Sequence, residues 1–137
     1  MQLLATLSTE GTGNGANKEH GTAGLALIPG RVENLRALGC RLRVPHVGWN
    51  EVTFNHPTDT ASAELFDGIP SGTDFYFVHS YAFVTDDPSH LIAIAVYDIP
   101  VTAAVRCGNV WGTQFHPEKS SRAGFRFLRN FIDSSAC

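Results

Sequence analysis

The stretch "NVWGTQFHPEKSSRAGFRFL", residues 109–128, changes period halfway along. Up to Phe115 it is an apolar, β-type run; from Ser120 onward apolar and charged residues recur at helical spacing. Pro117 separates the two and keeps His116 out of helical geometry. Phe125, Leu128, Phe131 and Ile132 fall on one face, and Arg122, Arg126 and Arg129 on another. Ser120 or Ser121 is the natural N-cap. The stretch thus reads as a strand that gives out into a C-terminal helix, with a histidine at the junction. The arginine row is expected to be a solvated face.

Outward from this junction the signals are mostly β. "LIAIAVY" (91–97), "VTAAVR" (101–106) and "NVWGTQF" (109–115) predict three sequential antiparallel strands feeding the junction. Turns are expected at Asp98-Ile99-Pro100 and Cys107-Gly108-Asn109. "DFYFVHSYAFV" (74–84) is dense in aromatic and β-branched residues, as a buried strand would be. "RLRVPHVGWNEVTF" (41–54) holds two period-2 segments, Arg41 to Val44 and Glu51 to Phe54, around a Pro-Gly break. "GLALIPGRV" (24–32) is a short apolar run punctuated by Pro29-Gly30. Met1 to Leu7 reads as a helix already under way, with no N-cap before it. "GTGNGANKEHGT" (11–22) reads as a flexible surface loop. A phosphate cradle there should follow a strand and open a helix, and this stretch does neither.

No internal repeat or linker divides the 137 residues, so one domain is expected over 1–137. The net charge of −3 gives no reason to expect nucleic acid or an anionic membrane as partner. The three cysteines, Cys40, Cys107 and Cys137, are odd in number and lack CxxC spacing, which fits a reducing compartment. No apolar run approaches the roughly 20 residues that span a bilayer, and no signal region is evident. A cytoplasmic protein is the expectation.

His116-Pro117-Glu118 carries the sharpest chemistry. In an extended segment residues i and i+2 point the same way, so Glu118 can reach the His116 ring. A carboxylate on one ring nitrogen sets the tautomer and leaves the other nitrogen free to move protons. The spacing alone equally allows a strand-end histidine beside a surface glutamate. The local nucleophile candidates are poor: none of the three cysteines sits on a strand-to-helix elbow, and Ser80 has no adjoining base. A zinc site from His46, His79 and His116 lacks ligand spacing. In "VPHVGWNEV" (44–52), Pro45 and Gly48 break the backbone, which predicts His46, Trp49 and Asn50 displayed on a loop. Such a loop suits a protein contact; Trp49 folded back as a core lid is the other reading.

Taken together, "GLALIPGRV", "VPHVGWNEV", "GIPSGTDFYFVHSY", "PVTAAV" and "GTQFHPEKS" with "GFRFLRNF" resemble the class I glutamine amidotransferases. "PHVGWN" with "YFVHSY" is most similar to the glutaminase subunits of imidazole glycerol phosphate synthase. The resemblance runs over essentially the whole chain. It implies the C-terminal portion of a doubly wound α/β fold, a mixed sheet with a late antiparallel section and a C-terminal helix.

It also implies that His116 and Glu118 are the second and third members of a Cys-His-Glu triad. Gln2, His79, Ser80 and Tyr81 would then hold glutamine, with no cofactor and no metal. A cyclase subunit of β/α-barrel fold would be the partner, contacted by Pro45, His46, Trp49 and Asn50. "MQLL" resembles the residues just after the family's cysteine elbow, so the nucleophile is expected outside this chain and the chain alone is expected to be inactive. Asp98 departs from the glycine usual in the family. A non-catalytic cyclase-docking fragment, or a piece of another class I amidotransferase, are the alternatives left open.

Overall fold

Alternation of apolar and polar residues sets the middle of the chain. In Thr73–His79, Phe75, Phe77 and His79 are buried while Asp74 and Val78 are exposed, the period-2 signature of a strand with one face inward. This computed structural model describes residues 1–10, 21–54 and 64–134. Its strands are β1 (Leu7–Ser8), β2 (Thr22–Ala23), β3 (Gly30–Asn34), β4 (His46–Thr53), β5 (Thr73–His79), β6 (Tyr81–Thr85), β7 (Leu91–Tyr97), β8 (Ile99–Cys107) and β9 (Val110–Thr113). Helix α1 (Ser121–Ser134) follows a 3-10 turn at Pro117–Lys119.

The strands form two sheets, one ordered β2-β1-β3-β6 and one ordered β5-β4-β7-β8-β9. β1 pairs with β3 in parallel, and the described neighbours otherwise run antiparallel. The result is a mixed α/β fold ending in a helix. β7, β8 and β9 are the three successive antiparallel strands that the sequence predicts, leading to the His116 junction. Asp98 sits at the β7–β8 turn with φ of 62°, the left-handed region where glycine carries no steric penalty. The Arg41 backbone N–H and guanidinium hold the Asp98 carboxylate there.

The main core lies between the five-stranded sheet and α1. Phe75 stacks near Phe115 at 4.3 Å between ring centroids, and Phe66 and Phe115 both meet Phe127 of α1. Burying each such ring contributes roughly 1.5–3 kcal/mol. A second cluster joins Ala5, Ile28, Val32, Phe83 and Val105, and so ties the two sheets together.

Four local expectations are corrected. Met1 to Leu7 is not a helix: Gln2–Leu4 makes one 3-10 turn, and Leu7–Ser8 is drawn into β1 by its pairing with Arg31 and Val32. Residues 41–44 are irregular, whereas β4 runs unbroken from His46 through Gly48, because pairing with β5 stabilises the strand across the glycine. The 74–84 run is two strands in different sheets, changing over at Ser80. Finally, α1 buries Gly124, Phe127 and Asn130 rather than the stripe of Phe125, Leu128, Phe131 and Ile132.

Phe125 and Ile132 are 67% and 66% exposed. The helix turns this way because a Cβ on Gly124 would lie 1.8 Å from the Pro117 carbonyl oxygen, a contact only glycine permits. Asn130 Nδ2 donates to the Leu65 and Asp67 carbonyls, each at 2.9 Å. Arg122, Arg126 and Arg129 are exposed, as a solvated face should be. Residues 11–20 of the glycine-rich stretch, and Cys137, lie outside the described residues.

Candidate active site

The junction after β9 is fastened to the edge of the five-stranded sheet. His116 N–H donates to the Tyr76 carbonyl at 2.9 Å. Tyr76 N–H donates to Ser120 Oγ at 3.0 Å, and that hydroxyl donates to the His116 carbonyl at 2.6 Å. Ser120 is 1% exposed. Thus both edge groups of Tyr76 are satisfied by the 116–120 turn, which seals the sheet edge and fixes the backbone on either side of Pro117.

On this platform His116 Nδ1 lies 2.9 Å from Glu118 Oε1. An ionised carboxylate only accepts, so Nδ1 carries the proton and Nε2 keeps its lone pair. Glu118's own backbone N–H and the His116 ring hold its carboxyl below the usual glutamate range. The pair is partly exposed, with the His116 side chain at 36%.

The His116 ring borders a cavity of about 590 Å³, within the range of small-molecule sites. Gln2, His79, Ser80 and Tyr81 line the same cavity. They meet there because β5 ends at His79 and β6 begins at Tyr81, so the changeover between sheets opens beside the β9–α1 junction. Gln2 Nε2 donates to the Tyr81 carbonyl at 2.9 Å and to Gln114 Oε1 at 3.3 Å. Gln114 also lines the cavity, and sequence reasoning missed it; its place two residues before His116 was the available signal.

The remaining predicted residues separate into two groups. His46 is 2% exposed rather than displayed on a loop. It is sandwiched between Phe77 and Tyr97, and its Nδ1 lies 2.9 Å from His79 Nε2. Burial first, and then the neighbouring His79, push its pKa down to about 4. Burial also lowers His79, opposed by its bond to the Tyr81 carbonyl.

Asn50 points inward with His46, donating to the Val96 carbonyl at 2.9 Å. Trp49, on the opposite face of β4, is 54% exposed with its ring edge on Tyr76. Pro45 is exposed and follows a cis peptide bond. A loop would have presented all of these side chains together; a strand sends alternate ones to opposite faces. Val47 and Val78, paired across β4 and β5, are exposed beside Trp49 and were not anticipated. Period-2 counting through Gly48 would have found them.

Cys40 is buried against Leu35, Ala82 and Val101, and Cys107 packs in the second core cluster. Neither lines the cavity. Among the described residues no group of three His, Cys, Asp or Glu side chains is arranged to hold a metal ion, and no helix is long and apolar enough to cross a membrane.

Comparison with known proteins identifies the family. The sequence model of the family "Glutamine amidotransferase class-I" matches residues 1–134. The chain is 44% identical over 131 residues to the imidazole glycerol phosphate synthase subunit HisH of Moorella thermoacetica, covering 96% of this chain and 55% of that protein. Against the HisH subunit of Halobacterium salinarum it is 46% identical over 140 residues, covering 99% and 58%. It therefore spans a little over half the length of these relatives. The crystal structure of a Thermoplasma acidophilum protein assigned as a GMP synthase subunit superposes with a TM-score of 0.57 at 21% identity, over 78% of this chain and 49% of that one; this likeness concerns the fold. A family match across nearly every residue, with relatives 44% and 46% identical over almost the whole chain, means that the chain belongs to the class I glutamine amidotransferases.

Proposed function

We propose that this chain supplies the general acid–base pair and the glutamine-binding wall of a glutaminase, and that the ammonia released passes to a cyclase subunit of β/α-barrel fold in histidine biosynthesis, in the cytoplasm. The observation that carries the reading is the 2.9 Å bond from His116 Nδ1 to Glu118 at the edge of the cavity. With its tautomer set, Nε2 can take the proton of a cysteine thiol, and the thiolate attacks the glutamine amide carbon. His116 then returns that proton to the departing ammonia, leaving a thioester. Acting again as base, it draws a proton from the water that cleaves the thioester to glutamate, and the thiol is restored. Glu118 stabilises the imidazolium at each stage.

The cysteine comes from another polypeptide segment in this proposal; among the described residues, Cys40 and Cys107 are both packed away from the cavity. Gln2, Ser80 and Tyr81 hold the glutamine, with His79 forming the wall behind them. The cyclase docks on the outer face of β4 and β5, where Val47, Trp49 and Val78 are 54%, 54% and 41% exposed. Lys119 Nζ, 6.0 Å from the Tyr76 ring centre, puts a positive charge at the margin of this patch. Exposed aliphatic and aromatic side chains form its centre, and Glu51 and Asp74, paired further along the same face, put negative charge at its other margin. His46 and Asn50 support this face from behind.

The test is co-expression with the cysteine-bearing segment and a cyclase barrel, followed by assay of glutamine-dependent cyclase turnover. By the scale of other nucleophile–histidine–acid triads, His116→Ala should cost roughly 10⁶ in kcat and Glu118→Ala roughly 10⁴. The chain alone should release no ammonia from glutamine. Undiminished turnover in His116→Ala would retire the proposal.

A further inference from the structure

The hydrogen bonds behind the cavity admit one direction only. The Tyr81 carbonyl can only accept, so His79 Nδ1, 2.8 Å away, must carry a proton. A neutral His79 then has a bare Nε2, and His46 Nδ1, 2.9 Å from it, must donate. That leaves His46 Nε2 bare, 3.3 Å from Asn50 Nδ2. Asn50 has two amide protons: one reaches His46, and the other the Val96 carbonyl. Every donor and acceptor along the row is satisfied with both imidazoles neutral and both in the Nδ1–H tautomer, the form that a free histidine side chain in water does not favour.

We infer that His46 and His79 are positioning residues of the cavity: a neutral, one-way donor chain from Asn50 through both rings to the Tyr81 carbonyl, which in turn holds the Gln2 amide. His46 does not line the cavity. It acts by donating to His79 Nε2, so that the Nδ1 proton of His79 faces Tyr81. The Tyr81 carbonyl receives His79 Nδ1–H and Gln2 Nε2–H together, and so the orientation of the Gln2 head is set by the far end of the chain. Reversing the His79 tautomer would set lone pairs against each other at the carbonyl, and reversing His46 would do so between the two rings. Both rings are nearly inaccessible to water that could repair such a break. The inference rests on the glutaminase reading only for the identity of the ligand that Gln2 meets.

The test is long-range ¹H–¹⁵N correlation of the imidazole nitrogens in the full chain, with the Gln2 side-chain amide signals as the second readout. At pH 7.5 both histidines should show a protonated Nδ1 and a bare Nε2; an Nε2–H tautomer at either overturns the inference. His46→Phe keeps the stack between Phe77 and Tyr97 and removes the donor. His79 Nε2 should then move further toward the value of an unbonded bare nitrogen, and a resonance that stays in place overturns the inference. His79→Leu should displace the Gln2 amide signals, and His79→Asn, whose amide can donate in place of Nδ1, should return them toward wild type. Unmoved Gln2 signals in a folded His79→Leu refute the link. If His79→Leu does not fold, the wild-type tautomers and His46→Phe decide. Titration with L-glutamine is a separate arm: no shift of Gln2 with the tautomers intact removes the glutaminase reading and leaves the donor chain standing.

Discussion

Removing one hydroxyl tests how the candidate site is held. In Ser120→Ala the Oγ that accepts from Tyr76 N–H and donates to the His116 carbonyl is lost. The His116 carbonyl keeps the Lys119 N–H at 3.0 Å, but Tyr76 N–H loses the Ser120 Oγ that accepts from it. With Ser120 only 1% exposed, water has no ready path in. An orphaned buried donor costs about 1–3 kcal/mol, so a loss of about 2 kcal/mol is expected. For a domain of this size that is a fall in Tm of roughly 8 °C.

Urea unfolding at pH 7.5 measures the cost directly, with Ser71→Ala alongside. Ser71 Oγ makes the same two bonds, to Phe54 N–H and Phe54 carbonyl, at 3.0 and 3.1 Å, but on an exposed residue. Water can replace it, and its loss should cost under about 1 kcal/mol. If Ser120→Ala unfolds within about 0.5 kcal/mol of wild type, or no worse than Ser71→Ala, the argument that burial makes this hydroxyl the clamp on His116 is refuted.

Gly124→Ala should destabilise by about 3 kcal/mol despite alanine's better helix propensity, because the new methyl would sit 1.8 Å from the Pro117 oxygen and 2.9 Å from Ser120 Cβ; urea unfolding that showed a gain would refute the close approach. Stability should also fall on acidification. His46 holds a pKa of about 4 in the fold against about 6.5 unfolded, so below pH 6.5 the unfolded chain binds the extra proton and folding weakens until the pH passes 4. The shift corresponds to about 3 kcal/mol lost across that window. Unfolding free energies at pH 7 and 4.5 should differ clearly in wild type and less in His46→Phe, and an equal slope in both would assign the effect elsewhere.

Much of this site was legible locally. Pro117 marks the strand-to-helix junction by its own geometry. Glu118 does reach the His116 ring across two residues, through a 3-10 turn and not the extended segment expected, and short turns link β7, β8 and β9. Each of these depends on neighbours a few residues apart, and the chain carries that information in its periodicities and breakers. Asp98, the residue that departs from the family's glycine, also had a local meaning: its turn needs a left-handed backbone.

What lay beyond the sequence was every choice made by distant partners. Whether Gly48 breaks a strand depends on β5, which pairs with β4 along seven residues. Which face of α1 is buried was settled by the Pro117 carbonyl pressing on Gly124 and by the Asn130 bonds to Leu65 and Asp67, none of which an apolar stripe records. His46 went inward because alternation along a strand places it with Phe77 and Tyr97, not with Trp49. Sequence spacing specifies short-range geometry, since the backbone has few local states; burial and polar pairing are long-range, and only the packed sheets and helix decide them.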